Sequence, residues 1–189
     1  MNKPLRLAIN GYGRIGRCFL RALHESPCRD RLQVVAINEP AALESIAYLT
    51  RFDSTHGRFP AAVELQGQNL LINGEAIVVS HETTPEAVDW RGLGIDLVVE
   101  CSGRYSDRAG LARFLDAGCP RLLLSHPANS AADVDATIVY GINHETLTGA
   151  ERIVSNASCT TNAVVPVLDL LAREIGIEHV LLTTLHSVM

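Results

Sequence analysis

No run of basic residues occurs in this sequence, and no stretch approaches the eighteen or so uninterrupted apolar residues that a membrane span requires. With a net charge of -5, the chain has no electrostatic footprint for nucleic acid or an anionic lipid surface, so neither is expected as a partner. The cysteines at 18, 28, 101, 119 and 159 form no Cys-x-x-Cys pair and no Cys/His spacing of a zinc site, so no metal is expected. Free thiols in a reducing cytoplasm fit that pattern. Internal repeats and low-complexity segments are absent, and aromatics make up only 5% of the chain. Met1-Asn2-Lys3-Pro4 leads directly into a short strand pattern, without a leader's apolar core or small-residue cleavage site, which gives the expectation of a soluble, unexported protein. What is present is a 47% hydrophobic chain of 189 residues, enough for one domain or for one domain and part of another.

Residues 5–10 read as a β-strand, and Gly11-Tyr12-Gly13-Arg14-Ile15-Gly16 follows at once, opening a helix through about His24. In that context the Gly-x-Gly-x-x-Gly spacing is a dinucleotide fingerprint. Gly11 permits the tight turn, Gly13 lets backbone approach a pyrophosphate, and Gly16 allows close packing of helix on strand. A second apolar run, 32–38, ends in Glu39, twenty-three residues after Gly16. An acid there can accept a hydrogen bond from a ribose 2'-hydroxyl and would repel a 2'-phosphate, which points to NAD rather than NADP.

Further along, a helix is expected near 42–49, then short strands at 63–65, 70–72 and 76–79, with Asn73-Gly74 as a hairpin turn. His56 sits in a polar turn and reads as structural or solvated; Trp90 reads as packing. Strand 96–100 ends at Cys101-Ser102-Gly103, a helix runs to about Ala117, and strand 121–125 follows. That alternation marks a doubly wound parallel sheet, in which ligands lie at the carboxyl ends of strands, where Ser102, Gly103, Ser125, His126 and Pro127 fall. Strands at 137–140 and 152–155 complete the unit.

The last strand runs into Ser155-Asn156-Ala157-Ser158-Cys159-Thr160-Thr161-Asn162. Apolar residues at 163, 164, 167, 168, 171 and 175 recur at helical spacing, with Pro166 either kinking the helix or separating a first turn from it. Both versions leave Cys159 near a helix N-terminus, whose partial positive charge favours a thiolate and whose N–H groups suit an oxyanion. A free thiol, with an ordinary pKa of about 8.5, benefits from an adjacent base. Residues 179–186 read as a returning strand ending in His186, the candidate base, with His179 as its rival at the far end.

Three stretches, 8–17, 155–162 and 183–186, resemble the phosphorylating glyceraldehyde-3-phosphate dehydrogenase superfamily along the whole chain. Ile37-Asn38-Glu39, Ser54 to Phe59, Ser125-His126-Pro127 and His186-Ser187-Val188-Met189 are more similar to its erythrose-4-phosphate dehydrogenase branch. The resemblance implies an α/β, doubly wound, Rossmann-type NAD-binding domain over 1–157, followed over 158–189 by the start of an α+β catalytic domain. It implies that Cys159 attacks the aldehyde of a small sugar phosphate and that His186 acts as base. Asn10, Gly11, Gly13, Arg14, Ile15, Gly16, Glu39, Ser102, Gly103 and Ser125 would serve the NAD cofactor, and Ser158 with Thr160 would surround the substrate at Cys159. A homotetramer and a role in pyridoxal 5'-phosphate biosynthesis come with the same likeness.

Some positions differ from the superfamily's usual pattern. Met189 stands where a phosphate-holding threonine is usual; methionine cannot donate that hydrogen bond, which disfavours glyceraldehyde 3-phosphate. Thr83 replaces a cofactor-side arginine, and Arg104 replaces a small apolar residue. The chain also stops three residues after His186, so the resemblance implies a fragment that binds NAD weakly without full turnover. Three expectations stand: oxidation of erythrose 4-phosphate, phosphorylating oxidation of glyceraldehyde 3-phosphate, or a non-catalytic NAD-binding module with a reactive thiol.

Overall fold

A computed structural model describes residues 3–186; Met189, and with it the end of the His186–Met189 likeness, lies outside the described residues. The chain opens with β1 (Leu5–Asn10), α1 (Arg14–Glu25), β2 (Leu32–Asn38) and α2 (Leu43–Arg51). A two-residue hairpin follows, β3 (Phe52–Asp53) with β4 (Gly57–Arg58), and then the meander β5 (Val63–Gln66), β6 (Asn69–Ile72) and β7 (Glu75–Ser80). The second half comprises β8 (Leu97–Glu100), α3 (Arg108–Asp116), β9 (Leu122–Leu124), β10 (Ala136–Thr137), β11 (Ile153–Ser155) and α4 (Cys159–Glu174). Among the described residues no helix is long and apolar enough to cross a membrane.

One nine-stranded sheet, ordered β10-β11-β9-β8-β1-β2-β7-β6-β5, carries the fold. From β10 to β7 every neighbouring pair is parallel; β6 and β5 add an antiparallel edge. Parallel strands buried on both faces need apolar residues at successive positions, and Leu7, Ala8 and Ile9 supply them. Leu7 and Ile9 join one core cluster with Leu20 of α1 and Ile46 of α2, whereas Ala8 joins a second with Val98, Leu111 and Phe114 of α3. Trp90 lies in this second cluster, donating Nε1–H to the Pro85 carbonyl at 2.8 Å, so it is a packing residue as its sequence context suggests. Asn73 and Gly74 both adopt left-handed backbone, φ 50° and 83°, as the tight β6–β7 turn demands.

Two expected strands differ. The one expected at 137–140 is only Ala136–Thr137, because Asn143 ties off the chain just beyond it: its Nδ2 donates to the Thr137 carbonyl at 2.9 Å and its Oδ1 accepts the Val139 N–H at 2.8 Å. Residues 179–186 form no strand. An extended segment becomes a strand only by pairing, and no described strand lies alongside it. Leu185 is 99% exposed. Pro166 sits inside a single helix, α4, and no separate first turn precedes it.

Candidate functional site

In a doubly wound sheet, strand order reverses on either side of the first strand, and the crevice beyond the carboxyl ends there receives ligands. Here that point lies between β1, β2 and β8. Gly11 leaves β1 with φ 85°, and a Cβ on it would stand 2.5 Å from the Ser102 nitrogen. The turn after β8 therefore reaches the glycine loop only because residue 11 has no side chain. A Cβ on Gly16 would lie 2.4 Å from the Gly11 carbonyl oxygen and 3.1 Å from Ile9 Cγ2, which fixes α1 against β1. Gly13 is different. Nothing lies within 4 Å of the Cβ it lacks, and it caps α1 without any side-chain hydrogen bond to the first turn. The uncapped N–H groups around Arg14 and Ile15 form an anion cradle at the start of a 12-residue helix.

A cleft of about 590 Å³ adjoins this cradle, lined by Asn10, Gly11, Gly13, Glu39 and Ser102 among others. Glu39 is half-buried at the end of β2. Its Oε2 accepts the Tyr12 N–H at 2.7 Å and its Oε1 accepts the Ala41 N–H at 3.3 Å. The carboxylate thus steadies the glycine loop and keeps lone pairs for a ribose hydroxyl. The residues fit NAD: a glycine opening before a helix N-terminus for the pyrophosphate, and an acid in the same cleft for the ribose. Thr83 and Arg104, the two departures from the family pattern, line the same cleft, as do Asn38 and Tyr105, which sequence reasoning did not single out.

Beneath the cleft runs a buried polar chain. Glu100, at the end of β8, has 0% exposure. Its Oε1 accepts both the Ser102 N–H, at 2.7 Å, and the Ser102 hydroxyl, while its Oε2 accepts Asn10 Nδ2–H. Asn10 Oδ1 in turn accepts from Asn38 Nδ2 at 2.8 Å. Burial pushes the Glu100 carboxyl above its ordinary range, against the opposing pull of Ser102 and Asn10. The side chains of Asn10 and Ser102 are engaged with this carboxylate. Sequence reasoning missed Glu100; a carboxylate ending an otherwise apolar strand was the available signal for it. Gly103, at φ 69° and with nothing within 4 Å of the Cβ it lacks, continues the turn.

A second, larger cleft of about 1100 Å³ lies beside the first and shares Cys101 with it. Ile15 and Ser125 line one part, and Ser158 and Cys159 another. The chain enters α4 through Ala157, buried with φ 57°, a left-handed conformation unusual for a residue with a Cβ. That turn is held by the Ala157 N–H on Ser155 Oγ at 3.1 Å and by Asn162 Nδ2 on the Asn156 carbonyl at 2.7 Å. Ser158 caps the helix, accepting the Thr161 N–H at 3.0 Å, so Cys159 is the first helical residue.

Cys159 is exposed, with Sγ 3.6 Å from His186 Nε2. Hydrogen bonding from His186 first, and from Thr160 next, holds the thiol below its ordinary pKa. His186 is thus brought to the thiol even though the segment carrying it is not a strand. His179 lies exposed in that segment. His56 sits away from both clefts, in the β3–β4 turn, with its N–H on Asp53 Oδ1 at 2.9 Å. His126, beyond β9, donates Nε2–H to the Tyr105 carbonyl at 3.2 Å, which leaves Nδ1 buried without a partner.

Comparison with known proteins agrees with this geometry. The family model described as "Glyceraldehyde 3-phosphate dehydrogenase, NAD binding domain" matches residues 5–108, and the one described as "Glyceraldehyde 3-phosphate dehydrogenase, C-terminal domain" matches 158–189. A curated relative from Pseudomonas aeruginosa, named "Glyceraldehyde-3-phosphate dehydrogenase", is 49% identical over 183 residues, which is 97% of this chain and 54% of the relative. The chain spans about half the length of that relative.

Proposed function

The chain belongs to the glyceraldehyde 3-phosphate dehydrogenase family, and from that premise we propose that it carries the cofactor cleft and the nucleophile of an NAD-dependent oxidation of a sugar-phosphate aldehyde. The observation that carries this reading is the Cys159–His186 contact of 3.6 Å at the start of a helix, beside a cleft that fits NAD. His186 Nε2 takes the thiol proton. The sulfur adds to the aldehyde carbon, giving a thiohemiacetal whose oxygen lies near the α4 N-terminus, where Thr160 offers donors. Bound NAD would supply the hydride acceptor for oxidation of that carbon. Cys159 is then left as a thioester, which water or phosphate cleaves to return the sulfur to its starting state. Residues 1–157 serve as the cofactor domain and 158–189 as the start of the catalytic domain.

For the substrate we favour erythrose 4-phosphate, with water as acyl acceptor and pyridoxal 5'-phosphate synthesis as the context. Met189 and the Ser125-His126-Pro127 run support this choice. The name of the Pseudomonas relative favours the alternative, glyceraldehyde 3-phosphate with inorganic phosphate as acceptor. A cytoplasmic protein is supported by five unpaired thiols, and a homotetramer by the family likeness alone.

The test is NADH formation by the protein that carries this chain, from each aldehyde, with phosphate added or withheld. Oxidation of erythrose 4-phosphate independent of phosphate supports the preferred reading. Phosphate-dependent oxidation of glyceraldehyde 3-phosphate alone would select the other. No NADH from either, with Cys159 still unusually reactive toward iodoacetamide, would leave a non-catalytic NAD-binding module with a reactive thiol.

A further inference from the structure

Hydrogen bonds have direction, and a chain of them must begin and end consistently. Under the cofactor cleft such a chain runs between two backbone donors. At one end the Glu82 N–H donates to Asn38 Oδ1 at 2.9 Å, and the Ser80 hydroxyl donates to the same oxygen. Asn38 Nδ2 donates to the Glu82 carbonyl at 3.0 Å and onward to Asn10 Oδ1, and Asn10 Nδ2 donates to Glu100. At the other end the Ser102 N–H also donates to Glu100.

An amide side chain has one accepting and one donating side, so Asn38 and Asn10 each pass the polarity along unchanged. Neither can be turned round, because the Glu82 N–H fixes Asn38 and Asn38 fixes Asn10. Two fixed donors therefore converge on residue 100, and only a side chain that accepts at both atoms satisfies them. A glutamine there would set an NH2 against an NH2 in a buried place.

The chain ties together the ends of β7, β2, β1 and β8, and the turns that leave them line the cleft. Ser102, which Glu100 holds, is also the residue that closes against Gly11. We propose that Glu100 is a positioning residue for cofactor binding, its two accepting oxygens setting the glycine loop, the Glu82 turn and the Ser102 turn in one register. This rests on the reading of the cleft as the NAD site.

This polarity permits a rescue. In Asn10→Asp combined with Glu100→Gln, the acceptor-only group moves one link along. The carboxylate now at position 10 accepts from Asn38 and from the amide now at position 100, and the oxygen of that amide accepts the Ser102 N–H. Asn10→Asp alone sets two buried carboxylates face to face.

NAD dissociation constants would be measured on the 189-residue chain, its two single variants and the double variant, with thermal midpoints recorded without NAD. Each single variant is expected to bind NAD about tenfold more weakly or worse, since a buried donor or acceptor loses its partner. The double variant is expected to return to within about threefold of the parent, a recovery that double-variant coupling measures directly. If Glu100→Gln does not fold, recovery from Asn10→Asp to the double variant carries the test. Unchanged affinity in folded Glu100→Gln, or a double variant no better than either single one, overturns the inference. Absence of saturable NAD binding by the parent chain would instead overturn the reading of the cleft, and this inference with it.

Discussion

The three loop glycines show how unlike each other residues of one motif can be, and the thiol of Cys159 shows how far one residue depends on a distant partner. Cys159 owes its lowered pKa first to His186, so His186→Asn is expected to move the midpoint of iodoacetamide alkylation at Cys159 to higher pH. Mass spectrometry of alkylation against pH would show it, with Cys159→Ser removing the labelled site. Gly16→Ala forces a methyl to within 2.4 Å of a backbone oxygen and should cost about 1–3 kcal/mol, read from denaturant unfolding. Gly13→Ala meets nothing at φ -71° and should lose no more than about 1 kcal/mol as a poorer helix cap. Its effect should appear in NAD affinity, because the methyl stands in the space before the helix N-terminus. The glycine spacing made all three legible in sequence. Glu100 was marked only as a carboxylate ending an apolar strand, and its hydrogen bonds to residues 10 and 102 come from the fold.

Elements were legible where their own residues determine them. β1 and β2 are apolar on both faces and lie where the hydrophobic runs placed them, and the Asn73-Gly74 turn formed where its chemistry required. The failures were elements that depend on something outside themselves. The strand expected at 179–186 has the apolar run Val180-Leu181-Leu182 but no described partner, and β10 stops early because Asn143, six residues after Thr137, bonds back to it. Burial predicts a hierarchy of stability. β1 has four buried residues in succession, whereas α4 has none and contains Pro166, which cannot donate to Asn162. Amide hydrogen exchange should be slowest in β1 and β8 and much faster in α4 and 175–186. Equal protection of α4 and β1 would contradict this.

At the scale of the whole molecule, the parallel order of the sheet does the positioning. Because β7, β2, β1, β8, β9 and β11 run in one direction, the turns bearing Glu82, Glu39, Gly13, Ser102, Ser125 and Cys159 all leave the same edge. The two clefts on that edge share Cys101, which places the cofactor cleft beside the nucleophile. Strand–helix alternation made this arrangement legible in outline; the continuity of the clefts depends on packing and was not. The most direct test is the alkylation rate of Cys159 in the 189-residue chain as NAD is added, with exposed Cys28, on the turn at 27–30, as the internal reference. A saturable change in the Cys159 rate is expected, reduced by Gly13→Ala, with Cys28 unaffected. A Cys159 rate that stays constant at every NAD concentration would contradict it.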